Sequence, residues 1–227
     1  MNEERRLEDL RTAVYATLAE EGRAPSVGEL AVRWGRAPEE TVRGLRELAV
    51  RHAIVLGAAD DVIRMAHPFS AAPMGFVVSP LDGRDDRHWW GGCAWDSFGI
   101  SAALGLDVLI DTACPECGRR HRVASGPERP PEPEPTVHFP LPAARWWDDV
   151  VSTCSNIRMF CSPDHLAAWT SRTGRTMGRA VGAATVWALS RPWYGDRLAP
   201  DFRPHATEHN QRLLTEAGLV GDFWRLP

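Results

Sequence analysis

Hydrophobic positions near the start of the chain recur at helical spacing and predict three helices. The first helix is marked by apolar residues three or four positions apart, namely Leu7, Leu10, Val14 and Leu18. Ser26 followed by Glu29 is a capping-box pattern, which predicts a second helix that continues to Trp34. Pro38 is suited to the first turn of a third helix.

Two short apolar runs at 53–56 and 61–65 then predict a hairpin. Three helices followed by a hairpin are typical of a winged helix, so residues 1–68 are predicted to form a winged-helix-like N-terminal domain. DNA recognition is the usual function of such a unit. However, residues 1–66 carry ten arginines against twelve acidic residues, and DNA affinity depends largely on phosphate neutralisation. A packing scaffold is therefore favoured, and no nucleic-acid partner is expected.

Beyond this unit, strand-like and helix-like segments alternate and predict a second domain over 69–227. Strands are predicted at 74–79, 107–112, 119–124, 137–139 and 157–161, and helices at 93–104 and 163–172. The Pro-rich segment 126–135 is predicted to be an exposed loop that does not pair in a sheet. The fold class is thus α+β, with the N-terminal unit packed on a small mixed β-sheet domain with flanking helices.

Composition excludes several kinds of chemistry. The chain has 227 residues and a net charge of −4, and all 26 basic residues are arginine. Without lysine there is no Schiff-base lysine and no phosphate-loop lysine. No apolar run is long enough to span a membrane and no signal peptide is visible, so we expect a cytoplasmic protein with no membrane partner.

Cys93 and Asp96 form the first candidate site. On a helix, side chains three positions apart share a face, so the thiol and the carboxylate would be neighbours. Gly91 and Gly92 allow a helix to start sharply at Cys93, where the helix dipole favours a thiolate. The carboxylate can accept and return a proton. The alternative is a buried structural cysteine beside a capping aspartate.

Cys154 precedes the predicted strand at 157–161 and, at the mouth of that strand, could face Cys93 across a pocket. Two thiolates and a carboxylate favour thiophilic metals such as Hg(II), Cu(I) or, with further ligands, Zn(II).

Cys114 and Cys117 lie in a Cys-Pro-Glu-Cys-Gly turn that resembles half of a zinc ribbon. A structural zinc site needs four ligands, and His121 and Cys161 could complete the set. The alternative is a tight turn with two ordinary thiols.

Together these motifs resemble the organomercurial (alkylmercury) lyase family. The resemblance lies in Trp90-Gly-Gly-Cys93-Ala-Trp-Asp96, the cysteine-containing turn at 114, and Thr153–Ser162 leading into a helix. It implies the family fold and the protonolysis of a carbon–mercury bond to a hydrocarbon and Hg(II).

Carried over by position, Cys93 and Cys154 match the two mercury-binding catalytic cysteines and Asp96 matches the catalytic aspartate. Cys114 matches a cysteine that is usually structural in the family. The resemblance implies no cofactor beyond external thiols, and it implies release of Hg(II) to cytosolic thiols or a mercuric reductase. The organic group needs an apolar pocket, for which Trp89, Trp90 and Trp95 are the predicted wall.

Some features depart from the family pattern. Ser155 stands where some relatives carry a second cysteine, and Cys117 and the Pro-rich loop are additions. Two alternatives therefore stay open, a thiol-based protein that binds or senses soft metals and a family member adapted to another substrate. Asp96 favours the enzyme, because passive metal binding needs no proton carrier.

Overall fold

The computed structural model describes residues 3–59, 61–83 and 86–227. Its α-helices are α1 (Glu3–Glu21), α2 (Val27–Trp34), α3 (Pro38–Val50), α4 (Ala94–Leu104), α5 (Val150–Asn156), α6 (Pro163–Thr173), α7 (Ala183–Tyr194) and α8 (Thr207–Glu216). Its strands are β1 (Val55–Leu56), β2 (Ile63–Ala66), β3 (Phe69–Ser70), β4 (Val77–Pro80), β5 (Trp89–Gly91), β6 (Val108–Ala113), β7 (Arg120–Ser125), β8 (Thr136–Phe139), β9 (Met159–Phe160) and β10 (Arg179–Gly182).

The first three helices and the hairpin follow in the predicted order. Ser26 caps α2 by accepting from the backbone amide of Glu29, whose carboxylate accepts from the Ser26 amide. Gly35 ends α2 in the left-handed conformation, and Pro38 opens α3. Strands β1 and β2 then pair antiparallel. The likeness to a winged helix stays a prediction that rests on this order of elements.

The hairpin strands belong to a larger sheet that continues past residue 68. This seven-stranded sheet has the order β1-β2-β3-β5-β4-β6-β7. Strand β3 pairs with β2 on one side and with β5 on the other, so the sheet crosses the predicted boundary between 1–68 and 69–227. The sheet thus contains strands from both predicted domains, and the division of the chain at residue 68 remains a prediction.

The α+β class is confirmed, but the type of sheet differs from the prediction. Every strand pairing in the described part of the chain is antiparallel, whereas a mixed sheet was predicted. Strands β5 and β6 both pair antiparallel with β4, so α4 connects two strands that run in the same direction on either side of β4.

The Pro-rich segment 126–135 is more ordered than predicted. Glu132 forms an isolated antiparallel bridge with Ala124, with backbone hydrogen bonds of 2.9 Å in both directions. The prediction that this segment does not pair is wrong at this position, because Glu132 still has the amide hydrogen that its proline neighbours lack. Strand β8 follows and lies between β10 and β9 in a three-stranded sheet.

Two elements that position the candidate site were not predicted as such. Strand β5 leads directly into α4, and α7 packs along α4. The segment at 183–194 showed only a short apolar stretch in the sequence, yet it forms the full helix α7 with Ala183, Val186 and Leu189 buried. A search for helices able to span a membrane finds none among the described residues.

Candidate active site

Cys93 is the N-cap residue of α4, as the glycine pair before it predicted. Its sulfur accepts a hydrogen bond from the Asp96 backbone amide at 3.3 Å, and the residue is 2% exposed. Gly92 is required at this turn, because a Cβ there would collide with the Cε of Met65 and the carboxylate of Asp96. The glycine therefore lets strand β5 approach the first turn of α4.

Asp96 is buried and holds its carboxylate among three polar side chains. The hydroxyl of Tyr194 donates to Oδ1 at 2.8 Å, and Nδ1 of His67 lies 3.2 Å from Oδ2. The thiol of Cys154 donates to the same Oδ2 at 3.8 Å. A carboxylate is acceptor-only, so these contacts place N–H, O–H and S–H hydrogens around it.

Tyr194 reaches Asp96 because α4 carries a glycine at the crossing with α7. A Cβ on Gly99 would lie 2.5 Å from Cδ2 of Tyr194 and 2.9 Å from Cβ of Pro68. Gly99 is three residues after Asp96 and so shares its helix face. The missing side chain leaves the space through which the tyrosine ring reaches the carboxylate.

Cys154 lies in the last turn of helix α5, not at the mouth of a strand as predicted. Asp149 caps the start of this helix by accepting from the Ser152 amide at 2.9 Å. The helix turns Cys154 inward, where it is 6% exposed and lines the same cavity as Cys93. The structure therefore brings together Cys93, Asp96 and Cys154.

The electrostatics of this group favour neutral thiols. Burial raises the pKa of Cys93 well above its ordinary value, and the hydrogen bond to Cys154 and the charge of Asp96 add to the effect. The hydrogen bond with Cys93 lowers the pKa of Cys154, but burial and Asp96 outweigh it and the net pKa is raised. Burial and Asp96 also raise the pKa of Tyr194. Both sulfurs therefore keep their protons until a ligand replaces them.

A cavity of about 100 Å³ lies against these groups. Its wall is largely aromatic and contains Trp95, Trp146, Trp147, Trp193 and Tyr194. Trp95 packs edge-to-face against Trp146, Trp193 and Tyr194, with ring centroids 4.9–5.8 Å apart. Such a wall suits an apolar group beside two sulfurs.

Of the three tryptophans predicted to line the pocket, only Trp95 does so. Trp89 is 1% exposed and its indole N–H donates to the carbonyl of Ala19, so it packs under α1. Trp90 lies in strand β5 and contacts His88 edge-on. As consecutive strand residues they lie on opposite faces of the sheet, and neither is part of the cavity wall. The pocket prediction for Trp89 and Trp90 is therefore wrong.

Four buried polar atoms of the cavity wall have no hydrogen-bond partner among the residues that the structure describes. They are Nε2 of His67, Nε1 of Trp95, the hydroxyl of Thr153 and Nε of Arg197. Buried polar groups are normally hydrogen-bonded, so these atoms are available to water or to a bound molecule. These atoms provide the largely apolar cavity wall with hydrogen-bonding groups at fixed positions.

A wider cleft of about 380 Å³ adjoins the cavity and shares five wall residues with it. At the shared wall, Trp147 stacks on His52 with ring centroids 4.0 Å apart and planes within 6°. The ring of His67 stands edge-on to the same indole, with the two ring centroids 5.8 Å apart. Trp147 is 43% exposed, so this stack separates the cavity from solvent with a single layer of side chains.

Cys114 and Cys117 lie outside this cavity. They form a second cluster with Cys161 and His165. His121, the predicted ligand, contacts Cys161 at 3.8 Å but is not a member of the group of four.

Sequence reasoning missed His67, Tyr194 and the tryptophan pair at 146–147 as site residues. His67 and Tyr194 have no spacing relation to the cysteines, so nothing local marked them. The Trp146-Trp147 pair shortly before Cys154 was the one available signal.

Comparison with known proteins agrees with this geometry. The family model described as MerB, alkylmercury lyase, matches residues 69–195. The crystal structure of the mercury-bound form of MerB2 superposes with a TM-score of 0.63 at 21% identity, covering 88% of this chain and 93% of that one. This likeness shows a shared fold. No curated protein matches the sequence significantly. Because the family model covers more than half of the chain, including Cys93, Asp96 and Cys154, the chain belongs to the alkylmercury lyase family.

Proposed function

We propose that this protein cleaves carbon–mercury bonds by protonolysis, with Cys93, Cys154 and Asp96 as its catalytic residues. The observation that carries the proposal is that the Cys154 thiol donates to the carboxylate of Asp96 and that Cys93, Asp96 and Cys154 line the same cavity. Two sulfurs can hold mercury, and the carboxylate beside them can carry a proton.

The proposed reaction begins with transfer of the organomercury cation from an external thiolate to Cys93. The Asp96 amide that donates to the Cys93 sulfur stabilises the thiolate formed there. The proton of Cys93 leaves with the displaced external thiol. Mercury is then bound to one carbon and one protein sulfur.

Cys154 next gives its proton to Asp96 and binds mercury as the second thiolate. Two sulfur donors place electron density on the metal and make the bound carbon basic. The electron pair of the carbon–mercury bond then takes the proton from Asp96. The products are a hydrocarbon and Hg(II) on two sulfurs, and the two thiol protons are accounted for.

Tyr194 and His67 position the proton carrier in this scheme. Tyr194 hydrogen-bonds to one oxygen of Asp96, and His67 contacts the other. The remaining contact of Oδ2 is with Cys154. The carboxylate thus has a fixed orientation toward the sulfur that supplies its proton, which is the positioning that proton transfer requires.

The aromatic cavity would hold the organic group of the substrate. Its volume of about 100 Å³ suits a small alkyl or aryl group beside the sulfurs. External thiols, or a mercuric reductase, would remove Hg(II) afterwards. We propose a role in mercury detoxification inside the cell, with no further cofactor for the reaction.

The experiment is a turnover assay with phenylmercury and excess thiol, in which benzene release is followed by gas chromatography. We expect release by the wild type and none by Cys93→Ser or Cys154→Ser. The matched control is Ser155→Ala, since Ser155 is exposed on the same helix and faces away from the cavity. This variant is expected to keep wild-type turnover.

Wild-type-like release by either cysteine variant would contradict the assignment. Tight binding of mercury with no benzene release by the wild type would instead favour a protein that binds soft metals. The group of His67, Asp96 and Cys154, whose donor atoms lie within 4.8 Å of one another, would then be a storage site.

A further inference from the structure

A second cluster of metal-ligand side chains lies outside the site described above. Cys114 follows β6, Cys117 lies in the turn before β7, Cys161 follows β9, and His165 is in the first turn of α6. Their donor atoms all lie within 4.8 Å of one another. Two regions of the chain, about 45 residues apart, thus supply side chains to the same cluster.

The distances within the cluster match the edges of a tetrahedron around zinc. The Sγ atoms of Cys117 and Cys161 are 3.7 Å apart, and Sγ of Cys114 lies 3.6 Å from Nδ1 of His165. Zinc bonds of about 2.3 Å to sulfur and about 2.0 Å to nitrogen give tetrahedral edges of roughly 3.8 Å between sulfurs and roughly 3.6 Å between sulfur and nitrogen. A disulfide would need sulfurs about 2.05 Å apart, and these cysteines are free.

The turn between the first two cysteines has a well-defined backbone. The Gly118 amide donates to the Cys114 carbonyl at 2.9 Å, and the Cys114 amide donates to the Arg119 carbonyl at 2.9 Å. Gly118 has a φ of +70°, a conformation that favours glycine. The turn therefore holds both cysteines at the end of the β6–β7 hairpin.

Few apolar residues pack around the cluster. Cys114 belongs to a small apolar group with Phe160, Leu166 and Trp169, separate from the main core. An ion pair of 2.7 Å between Arg172 and Glu116 is the other link between the turn and α6, and both partners are accessible to solvent. Exposed ion pairs contribute little stability, so few contacts hold the β6–β7 turn on this helix.

We propose that Cys114, Cys117, Cys161 and His165 bind one Zn²⁺ in a closed tetrahedral site that fixes the β6–β7 turn to β9 and α6. Four protein ligands leave no open position, which is the pattern of structural zinc. The sequence indicated His121 as the fourth ligand, and the geometry replaces it with His165. His121 instead contacts Cys161 from outside the group.

This site is independent of the proposed lyase reaction. Cys161 is seven residues after Cys154 and follows it through β9. Zinc would therefore anchor the end of the segment that carries Cys154 without touching substrate.

The test is the metal content of the purified full-length protein, measured by inductively coupled plasma mass spectrometry. We expect one equivalent of zinc in the wild type and in the Cys93→Ser/Cys154→Ser double variant. We expect none in Cys117→Ser or His165→Asn, and one in His121→Asn. Cys117 is exposed, so its replacement by serine removes a ligand without opening a cavity.

Substitution with Co²⁺ gives a second readout on the wild type that needs no variant. Tetrahedral coordination by three thiolates and an imidazole predicts intense visible d–d bands and near-ultraviolet sulfur-to-cobalt charge transfer. Removal of zinc by a chelator is expected to lower the Tm by about 5 °C or more, since metal binding free energy is folding free energy.

Several results would overturn the proposal. One is a wild type that contains no zinc and takes up none when Zn²⁺ is added. Another is zinc that disappears in the Cys93→Ser/Cys154→Ser variant, which would place it in the active site. Loss of zinc in His121→Asn with retention in His165→Asn would refute the proposed ligand set.

Discussion

The thiol of Cys154 lies 3.8 Å from Oδ2 of Asp96, although the two residues are 58 positions apart in the chain. They come from different helices, α5 and α4, and meet at the inner end of an aromatic cavity. In the proposed reaction, this contact joins a sulfur that binds mercury to the carboxylate that carries the proton. It underlies the first two predictions below.

Replacement of Asp96 by asparagine should separate mercury binding from bond cleavage. Asparagine keeps an oxygen for the Tyr194 hydroxyl but cannot carry the proton to carbon. We expect Hg(II) affinity within a fewfold of wild type and a fall in kcat of about 10²–10⁴, the scale of a positioned acid or base. Hydrocarbon release and isothermal titration with Hg(II) measure the two effects.

The control for this variant is Asp111→Asn, which removes a carboxylate from the solvent-accessible ion pair with Arg120. It should leave both quantities unchanged. Cleavage at the wild-type rate by Asp96→Asn would show that the proton comes from elsewhere.

The same substitution should make the active-site thiols more reactive toward alkylation. The carboxylate of Asp96 disfavours a neighbouring thiolate, and burial and this charge both raise the pKa of Cys93. Removing the charge lowers that pKa, so thiolate forms at lower pH. Iodoacetamide labelling of the Cys93 peptide, followed by mass spectrometry from pH 6 to 10, should shift to lower pH in Asp96→Asn. A shift to higher pH would contradict the electrostatic account.

Tyr194→Phe should weaken both the fold and the reaction. The change removes a buried hydrogen bond of 2.8 Å to a carboxylate, so we expect the free energy of unfolding to fall by about 1–3 kcal/mol. Turnover should fall as well, because Oδ1 of Asp96 loses its positioning partner.

Tyr15→Phe is the matched control for that variant. Tyr15 is similarly buried, but its hydroxyl contacts the backbone carbonyls of Ala53 at 2.8 Å and His67 at 3.2 Å and does not touch Asp96. Denaturant unfolding should show destabilisation in both variants, whereas kcat should fall only in Tyr194→Phe. Equal losses of kcat in the two variants would mean that Tyr194 contributes only to stability.

Trp147→Ala should widen the range of substrates. The indole stacks on His52 between the small cavity and the adjoining cleft. Its removal would join the two spaces and admit a bulkier organic group. We expect the ratio of kcat/KM for phenylmercury to that for methylmercury to rise roughly tenfold, the scale of one apolar group in a pocket. Trp90→Ala, outside the cavity wall, should leave the ratio unchanged.

The sequence predicted most of the fold and part of the site, for reasons that individual residues make clear. Cys93 and Asp96 lie three positions apart on one helix, so their proximity follows from helical geometry. The sequence left the meeting of Cys154 with Cys93 as one possibility, and the resemblance to a family implied it, because contacts between distant elements leave no local spacing. Its helix α5 was missed because Val150 and Val151 resemble the start of a strand.

Errors at the pocket wall and at the cysteine turn have a similar origin. Trp89 and Trp90 were assigned to the pocket because they precede Cys93, yet strand β5 turns them toward other neighbours. His165 was overlooked as a ligand and His121 preferred, because only the tertiary fold shows which histidine meets Cys114.

A single-turnover measurement tests the central claim most directly. Methylmercury is mixed with a molar excess of protein, and methane in the headspace and mercury on the protein are quantified. The methylmercury is supplied as its 1:1 thiolate complex, so that the one thiolate it carries takes the Cys93 proton and no excess thiol is present. The account predicts one equivalent of methane per mercury, with Hg(II) retained by wild type and lost on adding excess thiol, and no methane from Cys154→Ser. Methylmercury that stays bound to the wild type without release of methane would contradict it.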